Sequence, residues 1–320
     1  MICYSTAHDA FMKGIENKRT HPMVRELWTD EAQKIPLRTP LDNAVQFLDD
    51  EKVNRFLTDL LWDIQRGYYY HHPPRYKHLY CTSMAKGKNE GKWRDIYCPS
   101  LRDHTMHHIL MEASMPAFTR GMIRWCVGSV PNRGTKDVIK QVSKWCREDK
   151  QFRYFVVIDI KQFFNSIRKE NVMAILQRKI KDKRILALHE QILDSGLKRT
   201  VKPFPPAVPV GYYPSPWYGN LLLERLDHFI LEGMYKVRRG KRVPFVKHYM
   251  RYADDMLLLG DNKRDLEKSI RLIQRFLEEH FGLTLKHSWE VKRIAEYTPE
   301  GKIKKGTYRI NYVGYLFDRT

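Results

Sequence analysis

The chain is short of cysteine pairs, of long apolar runs and of negative charge, and each shortage narrows what it can be. Its five cysteines, Cys3, Cys81, Cys98, Cys126 and Cys146, are scattered with no C-x-x-C pair. That usage is expected of reduced thiols in a cytoplasmic protein rather than of a disulfide framework. The pairs His71-His72 and His107-His108 do not complete a zinc-ligand spacing with them. No apolar run approaches the ~18 residues of a membrane span, and no basic segment followed by an apolar one opens the chain. A soluble, non-exported protein with no membrane partner is expected. No repeat period or low-complexity tract is present, which excludes a solenoid. Acid is outnumbered 37 to 57 by Lys and Arg, so the formal charge is +20. An excess of that size fits a polyanionic partner, nucleic acid above all, although a ribosomal-type or membrane-surface protein shares it. What is present, 320 residues with 42% hydrophobic and 12% aromatic content, suffices for a sizeable core or two linked subdomains.

The hydrophobic patterning predicts an α+β chain. Residues 41–64 space Val45, Leu48, Val53, Phe56, Leu57, Leu60 and Leu61 near a helical period. "RGYYYHHPPRYKHLY" then breaks the pattern with Gly67, Pro73 and Pro74, and mixes tyrosines with Arg66, Arg75 and Lys77. That mixture suits either base stacking with phosphate contact or an aromatic edge over a core. Residues 86–99 read as a hairpin, 102–115 as a helix, and "GSVPNRGT" as a loop whose Thr135 caps a further helix. "YFVVIDI" (154–160) reads as a buried strand. A proline-rich loop over 201–216 precedes a helix beginning near Trp217. "VPFVKHYMRY" and "MLLLG" read as strands flanking the tip Ala253-Asp254-Asp255. A helix capped at Asp261 or Asn262 and stopped at Gly282 follows, and then a strand over 283–291. The sum is a sheet with helices on one face.

The carboxylates carry the chemistry. Asp254 and Asp255 sit against an apolar run, and Asp159 ends the strand 154–158 almost a hundred residues earlier. If that strand lies beside the 248–259 hairpin, Asp159, Asp254 and Asp255 meet at one sheet edge. There they would repel and raise one another's pKa unless a cation lay between them. Two Mg2+ ions about 3.5–4 Å apart on such carboxylates catalyse in-line phosphoryl transfer, one activating a hydroxyl and the other stabilising the leaving oxygen. The alternative is a surface turn leading into a core strand.

The order of segments weighs against chance. "VVIDIKQFFNSI", "VPVGYYPSPWYGNLLLERLD", "RYADDMLLL" and "INYVGYLF" resemble motifs A, B, C and E of reverse transcriptases. "GKWRDIYCPSLRDH" resembles their fingers motif, and "GSVPNRG" a loop of bacterial members. The resemblance implies a right-hand palm and fingers: a helical extension at 1–66, fingers at 67–150, palm at 151–168, a fingers insertion at 169–207 and palm again at 208–320. It implies RNA-templated DNA synthesis with two Mg2+ ions, for which Mn2+ is a possible substitute. Its partners are an RNA template (a structured noncoding RNA), a DNA or RNA primer and dNTPs.

By the same resemblance, Asp159 and Asp254 hold the metals with the Ile160 carbonyl, and Asp255 supports them. Phe164 is the steric gate against a 2′-hydroxyl. Arg94 clamps the triphosphate, with Lys86 or Lys88 near it. Gly211 lets backbone approach the nucleotide, and Ser215, Pro216 and Asn220 match motif B. Lys286 or Lys292 is the general acid toward pyrophosphate, and spacing does not choose between them. Tyr312, Gly314 and Tyr315 belong to the primer grip. Val210 departs from the Gln that many relatives carry before this glycine, a departure shared with error-prone retroelement enzymes, which usually follow the serine with Gln where Pro216 stands here. Relatives continue into a helical thumb, whereas this sequence ends at Thr320. An accessory protein or RNA is therefore expected to supply that grip, and template removal and DNA cutting are expected to lie elsewhere. A retroelement or antiphage defence setting fits. The competing expectations are an inactive RNA-binding protein on a polymerase fold and a metal nuclease using the same carboxylates.

Overall fold

The computed structural model describes residues 3–16, 18, 21–35, 44–82, 91–197 and 208–319. In chain order the first elements are α1 (Tyr4–Ile15), α2 (Pro22–Arg25), α3 (Asp30–Gln33), α4 (Asp50–Arg66), β1 (Arg75–Thr82), β2 (Gly91–Cys98) and α5 (Leu101–Thr119). Next come α6 (Thr135–Glu148), β3 (Tyr154–Asp159), α7 (Phe163–Ser166), α8 (Lys169–Lys179), α9 (Lys183–Leu197) and α10 (Ser215–His228). The last are β4 (Tyr235–Arg238), β5 (Lys241–Pro244), β6 (His248–Tyr252), β7 (Asp255–Gly260), α11 (Lys263–Phe281), β8 (Lys292–Ile294), β9 (Thr307–Tyr308), β10 (Ile310–Tyr312) and β11 (Tyr315–Phe317).

The chain divides into two compact units. One gathers Met1–His78, Asp95–Arg120 and Leu176–Ser215, and the other Leu79–Arg94, Gly121–Ile175 and Pro216–Thr320. In the first, α1 packs against α4 and α5 around Phe11, Ile15, Val24, Leu27, Val53, Leu57 and Leu101. Helix α4 starts later than its apolar spacing suggests. The Asp49 carboxylate accepts the Glu51 and Lys52 N–H groups at 3.0 and 3.1 Å, so Ala44–Phe47 is left as a 3-10 turn. Strand β2 pairs with β1, which occupies part of the proline-broken stretch read as irregular; the turn at 83–90 lies outside the described residues.

The second unit is built on a five-stranded sheet in the order β6-β7-β3-β8-β9. The β6–β7, β7–β3 and β3–β8 pairs are antiparallel, and the β8–β9 pair is parallel. The register sets Val157 beside Leu257 and Leu257 beside Met250. These residues share a core with Val138, Val142 and Trp145 of α6 and with Ile310, Tyr312 and Phe317. Helix α11 packs on β3 and β7, and Tyr249 and Arg251 bond to α10 from the alternate positions of β6. The expectation of helices on one face is therefore corrected: both faces are covered. The near-continuous apolar runs of β3 and β7 are the signature of that double burial.

Other boundaries shift for local reasons. Gly134, not Thr135, caps α6, because the Asp137 carboxylate takes the Gly134 N–H at 3.0 Å. Helix α11 keeps its expected ends, with Asn262 accepting from Arg264 and Asp265 and Gly282 left-handed at φ 66°. The strand expected over 283–291 is reduced to a Leu285–Ile160 bridge, and pairing resumes only at β8. Polar, exposed His287, Ser288 and Glu290 interrupt it. After α10 the chain forms a π-helical turn at Phe229–Gly233 rather than continuing as α-helix.

Leu257 is fully buried in the shared core and Leu316 is 61% exposed. Leu257→Ala is expected to lower unfolding free energy by ~2–5 kcal/mol in urea denaturation, and Leu316→Ala to change it by less than ~0.5 kcal/mol. Equal effects would contradict the assigned burial.

Candidate active site

Antiparallel pairing of β3 with β7 sets Asp159 directly opposite Asp255, and the β6–β7 turn places Asp254 beside them. The turn is tight. Tyr252 pairs with Asp255, and Ala253 takes a left-handed φ of 54°. On the other side of β3 the chain returns at 284–286. The Lys161 N–H donates to the Thr284 carbonyl and the Lys286 N–H to the Asp159 carbonyl, both at 2.8 Å. This return delivers the Lys286 ammonium to Asp159 Oδ2, where the two form an ion pair.

The electrostatics are those of a site holding more negative charge than it neutralises. Burial, and after it the charges of Asp159 and Asp254, push the Asp255 carboxyl from 3.8 up to about 6. Burial and the Asp159 charge likewise raise Asp254. Asp159 Oδ1 is buried with no hydrogen-bond partner among the described residues, an acceptor left open beside two crowded carboxylates. Among those residues no three His, Cys, Asp or Glu side chains form a ready-made metal cage. The donor set is instead the carboxylates of Asp159 and Asp255, paired across the sheet, with Asp254 in the adjoining turn. That set fits a hard divalent cation whose remaining ligands come from water and substrate phosphates.

A buried guanidinium positions the turn, and sequence reasoning did not assign it. Arg251 is fully buried and paired with Asp227 of α10, equally buried. Its Nε and an Nη donate to the two Asp227 oxygens at 2.8 and 2.7 Å. The other Nη donates to Asn220 Oδ1 at 2.8 Å and to the Ala253 carbonyl at 2.9 Å. Asn220 in turn donates to the Gly128 carbonyl at 2.8 Å, and Tyr249 OH to Asp227 at 2.7 Å. Gly128 has no room for a side chain, since a Cβ there would lie 2.5 Å from Ala253 N. Arg133 gathers the preceding carbonyls, donating to Ile123 at 2.8 Å and Cys126 at 3.2 Å. The signal available in sequence was a charge inside an apolar strand, Arg251, and another ending an apolar helix, Asp227.

The remaining candidates fall into place unevenly. Ile160 is buried in its bridge to Leu285. Phe164 is half-buried, its ring 5.2 Å from that of Phe163, and both press on Gly219 of α10. Lys292 stands opposite Phe155, four residues along β3 from Asp159, against the Tyr308 ring at 4.9 Å. The structure thus brings Lys286, not Lys292, to the carboxylates. Arg94 is exposed on β2, its side chain in no hydrogen bond or ion pair among the described residues, and Lys86 and Lys88 lie outside them. In the other unit, Gly211 has φ 109° and its absent Cβ leaves space for Tyr97, whose N–H donates to the Val210 carbonyl at 2.8 Å. Ser215 Oγ donates to the Pro209 carbonyl at 2.5 Å. These contacts account for Gly211 and Ser215 as builders of the loop. Tyr312 is buried, its hydroxyl donating to the Asp255 carbonyl at 3.1 Å, so it supports the start of β7. Tyr315 is exposed beyond the Val313-Gly314 turn, where both φ values are positive.

A mixed sheet with Asp159 and Asp255 paired at strand ends and Asp254 in the adjoining turn matches the palm arrangement of a template-directed polymerase. The chain belongs to the reverse transcriptase (RNA-dependent DNA polymerase) family, whose family model matches residues 85–315. It is 23% identical over 212 residues to Protein YkfC of Escherichia coli, covering 58% of this chain and 55% of that protein. It is 23% identical over 265 residues to the group II intron-encoded protein LtrA of Lactococcus lactis, covering 80% and 42%. The chain spans about half the length of these curated relatives. Among solved structures, telomerase from Candida tropicalis superposes with a TM-score of 0.52 at 12% identity, covering 83% of this chain and 59% of that one. That likeness concerns the fold. No helix among the described residues is long and apolar enough to cross a membrane.

Asp227→Asn and Arg251→Lys each break the buried fork and are expected to lower stability by ~3–5 kcal/mol in urea denaturation. A loss under ~1 kcal/mol in both would contradict the role given to this pair.

Proposed function

We propose that this chain is an RNA-directed DNA polymerase that extends a primer by metal-dependent nucleotidyl transfer. The observation that carries it is the convergence of Asp159, Asp254 and Asp255 around an open buried acceptor, in a chain of the reverse transcriptase family. Bound divalent ions, Mg2+ or Mn2+, would supply Lewis-acid stabilisation of the charge on the attacking and leaving oxygens.

The chain's own residues divide the remaining work. Asp159 and Asp254 would hold the cations, with Asp255 kept in register by the Tyr312 hydroxyl. Lys286, ion-paired with Asp159, is the candidate proton donor to the leaving pyrophosphate. Phe164, wedged against Gly219, sits under the incoming sugar and rejects a 2′-hydroxyl by contact. Arg94, exposed and unpaired among the described residues, is available to the triphosphate. The template is RNA and the substrates are dNTPs. A retroelement setting is favoured over antiphage defence by the intron-encoded relative.

Primer extension with labelled dNTPs and Mg2+ on an RNA template tests the reading. Wild type is expected to incorporate dNTPs, Asp254→Asn to fall to background, and Phe164→Ala to lose ~10-fold or more of its discrimination against ribonucleotides. RNA bound tightly without incorporation on any template would favour an inactive RNA-binding protein. RNA cut in the absence of dNTPs would favour a nuclease.

A further inference from the structure

The β4–β5 hairpin has no part in the site described above, and its composition is unlike the rest of the sheet edge. It is a separate two-stranded sheet, "YKVRRGKRVP", with five basic residues in ten. Lys236 pairs with Asp265 at the base, where the Phe245 N–H also donates to the Met234 carbonyl at 3.0 Å. Arg238, Arg239, Lys241 and Arg242 are all exposed, and none is in an ion pair among the described residues. Arg242 rests 4.5 Å from the Tyr235 ring centroid.

The charges are placed against the interests of the fold. Arg238 and Lys241 stand directly opposite one another, a destabilising cross-strand pair. Arg239 shares the two-residue turn with Gly240, both at positive φ (51° and 73°), a position that favours Asn or Gly over a long cation. Val237 is 68% exposed, so the ribbon displays its face rather than burying it. An isolated two-stranded ribbon is marginal by itself, and like charges at its tip make it more so. An ordinary solvated surface would intersperse acids, as α11 does with Lys263 and Glu267.

We propose that this hairpin is a docking element for the sugar-phosphate backbone of RNA, remote from the reaction centre. It enters β6 at His248, the strand end opposite the Tyr252–Asp255 turn. About 14 Å of strand therefore separates it from the carboxylates. Its tip is a cluster of exposed cations around a two-residue turn, and the Tyr235 ring beside it carries Arg242 on its face. The dense, unpaired positive charge suits contact with phosphates, which carries no sequence information. RNA as the occupant rests on the proposed function, being the polyanion that reaction brings to the protein.

The test is binding of a labelled stem–loop RNA without dNTPs, followed from about 50 to 200 mM salt. Three proteins run beside wild type. One carries Arg238→Gln, Arg239→Asn, Lys241→Gln and Arg242→Gln. A second has Gln at Lys136, Lys140, Lys144 and Arg147, exposed residues of α6 in the same unit. The third replaces the three hairpin arginines with lysine. The neutralised hairpin is expected to lose about tenfold or more in affinity, with a salt slope shallower by ~2–4. Its melting temperature should hold or rise. The α6 variant should lose much less, and the lysine variant should keep the wild-type slope. Equal losses in the hairpin and α6 variants would overturn the proposal, as would unchanged RNA binding with lost binding to phosphatidylserine vesicles or DNA duplex. Because no nucleotide is added, an enzyme that fails to polymerise does not confuse the result.

Discussion

The buried guanidinium of Arg251 is the constraint on which the site depends. Its donors meet both Asp227 oxygens, the Asn220 side chain and the Ala253 carbonyl, with Cys126 Sγ at 3.3 Å completing the set. A charge so deep in the protein is tolerable only when paired and fully hydrogen-bonded. One residue therefore couples the length of α10 to the turn that carries Asp254. Lysine, with a single ammonium on a flexible stem, cannot span these acceptors. Gly128 closes the arrangement by letting the preceding loop lie against Ala253 backbone.

The same region stores unfavourable energy. Asp254 and Asp255 carry raised pKa values in partial burial. Non-glycine residues with positive φ flank them: Gln162 after β3, Ala253 in the turn, and Val313 in the hairpin below. Each costs on the order of 1 kcal/mol or more and persists only where the surroundings over-determine it. Those surroundings are a sheet buried on both faces, by α6 on one side and α10 and α11 on the other. A cation is the natural counterpart of the excess charge, and Lys286 supplies one from within the chain. The stability of the double-sided core is what permits a cluster of charges in tension with itself.

Much of this was legible in the sequence, and what was not has a common cause. The run "YFVVID" suited a central strand and "MLLLG" a strand beside the tip, and their carboxylates followed at the ends. Helix α11 carried both its caps in plain view. The errors lie where a non-local partner decides. The start of α4 turned on one Asp49 side chain, and β8 began only after a polar interruption. Double coverage of the sheet could be inferred from the apolar runs but was read as coverage of one face. In the site, residue types named the carboxylates, whereas the choice of Lys286 over Lys292 required the return of the chain to β3. Arg251 and Asp227 were visible as misplaced charges, but their partnership spans 24 residues and a helix-to-strand contact that no local pattern reports.

The most direct test of the account is the response of thermal stability to Mg2+ in the isolated protein. If the carboxylates are held in mutual repulsion awaiting a cation, Mg2+ should raise the melting temperature of wild type. Asp254→Asn should melt higher than wild type without Mg2+, and both Asp254→Asn and Asp159→Asn should respond little to it. An equal Mg2+ shift in wild type and both variants, or none in any, would contradict a cation site built from these residues.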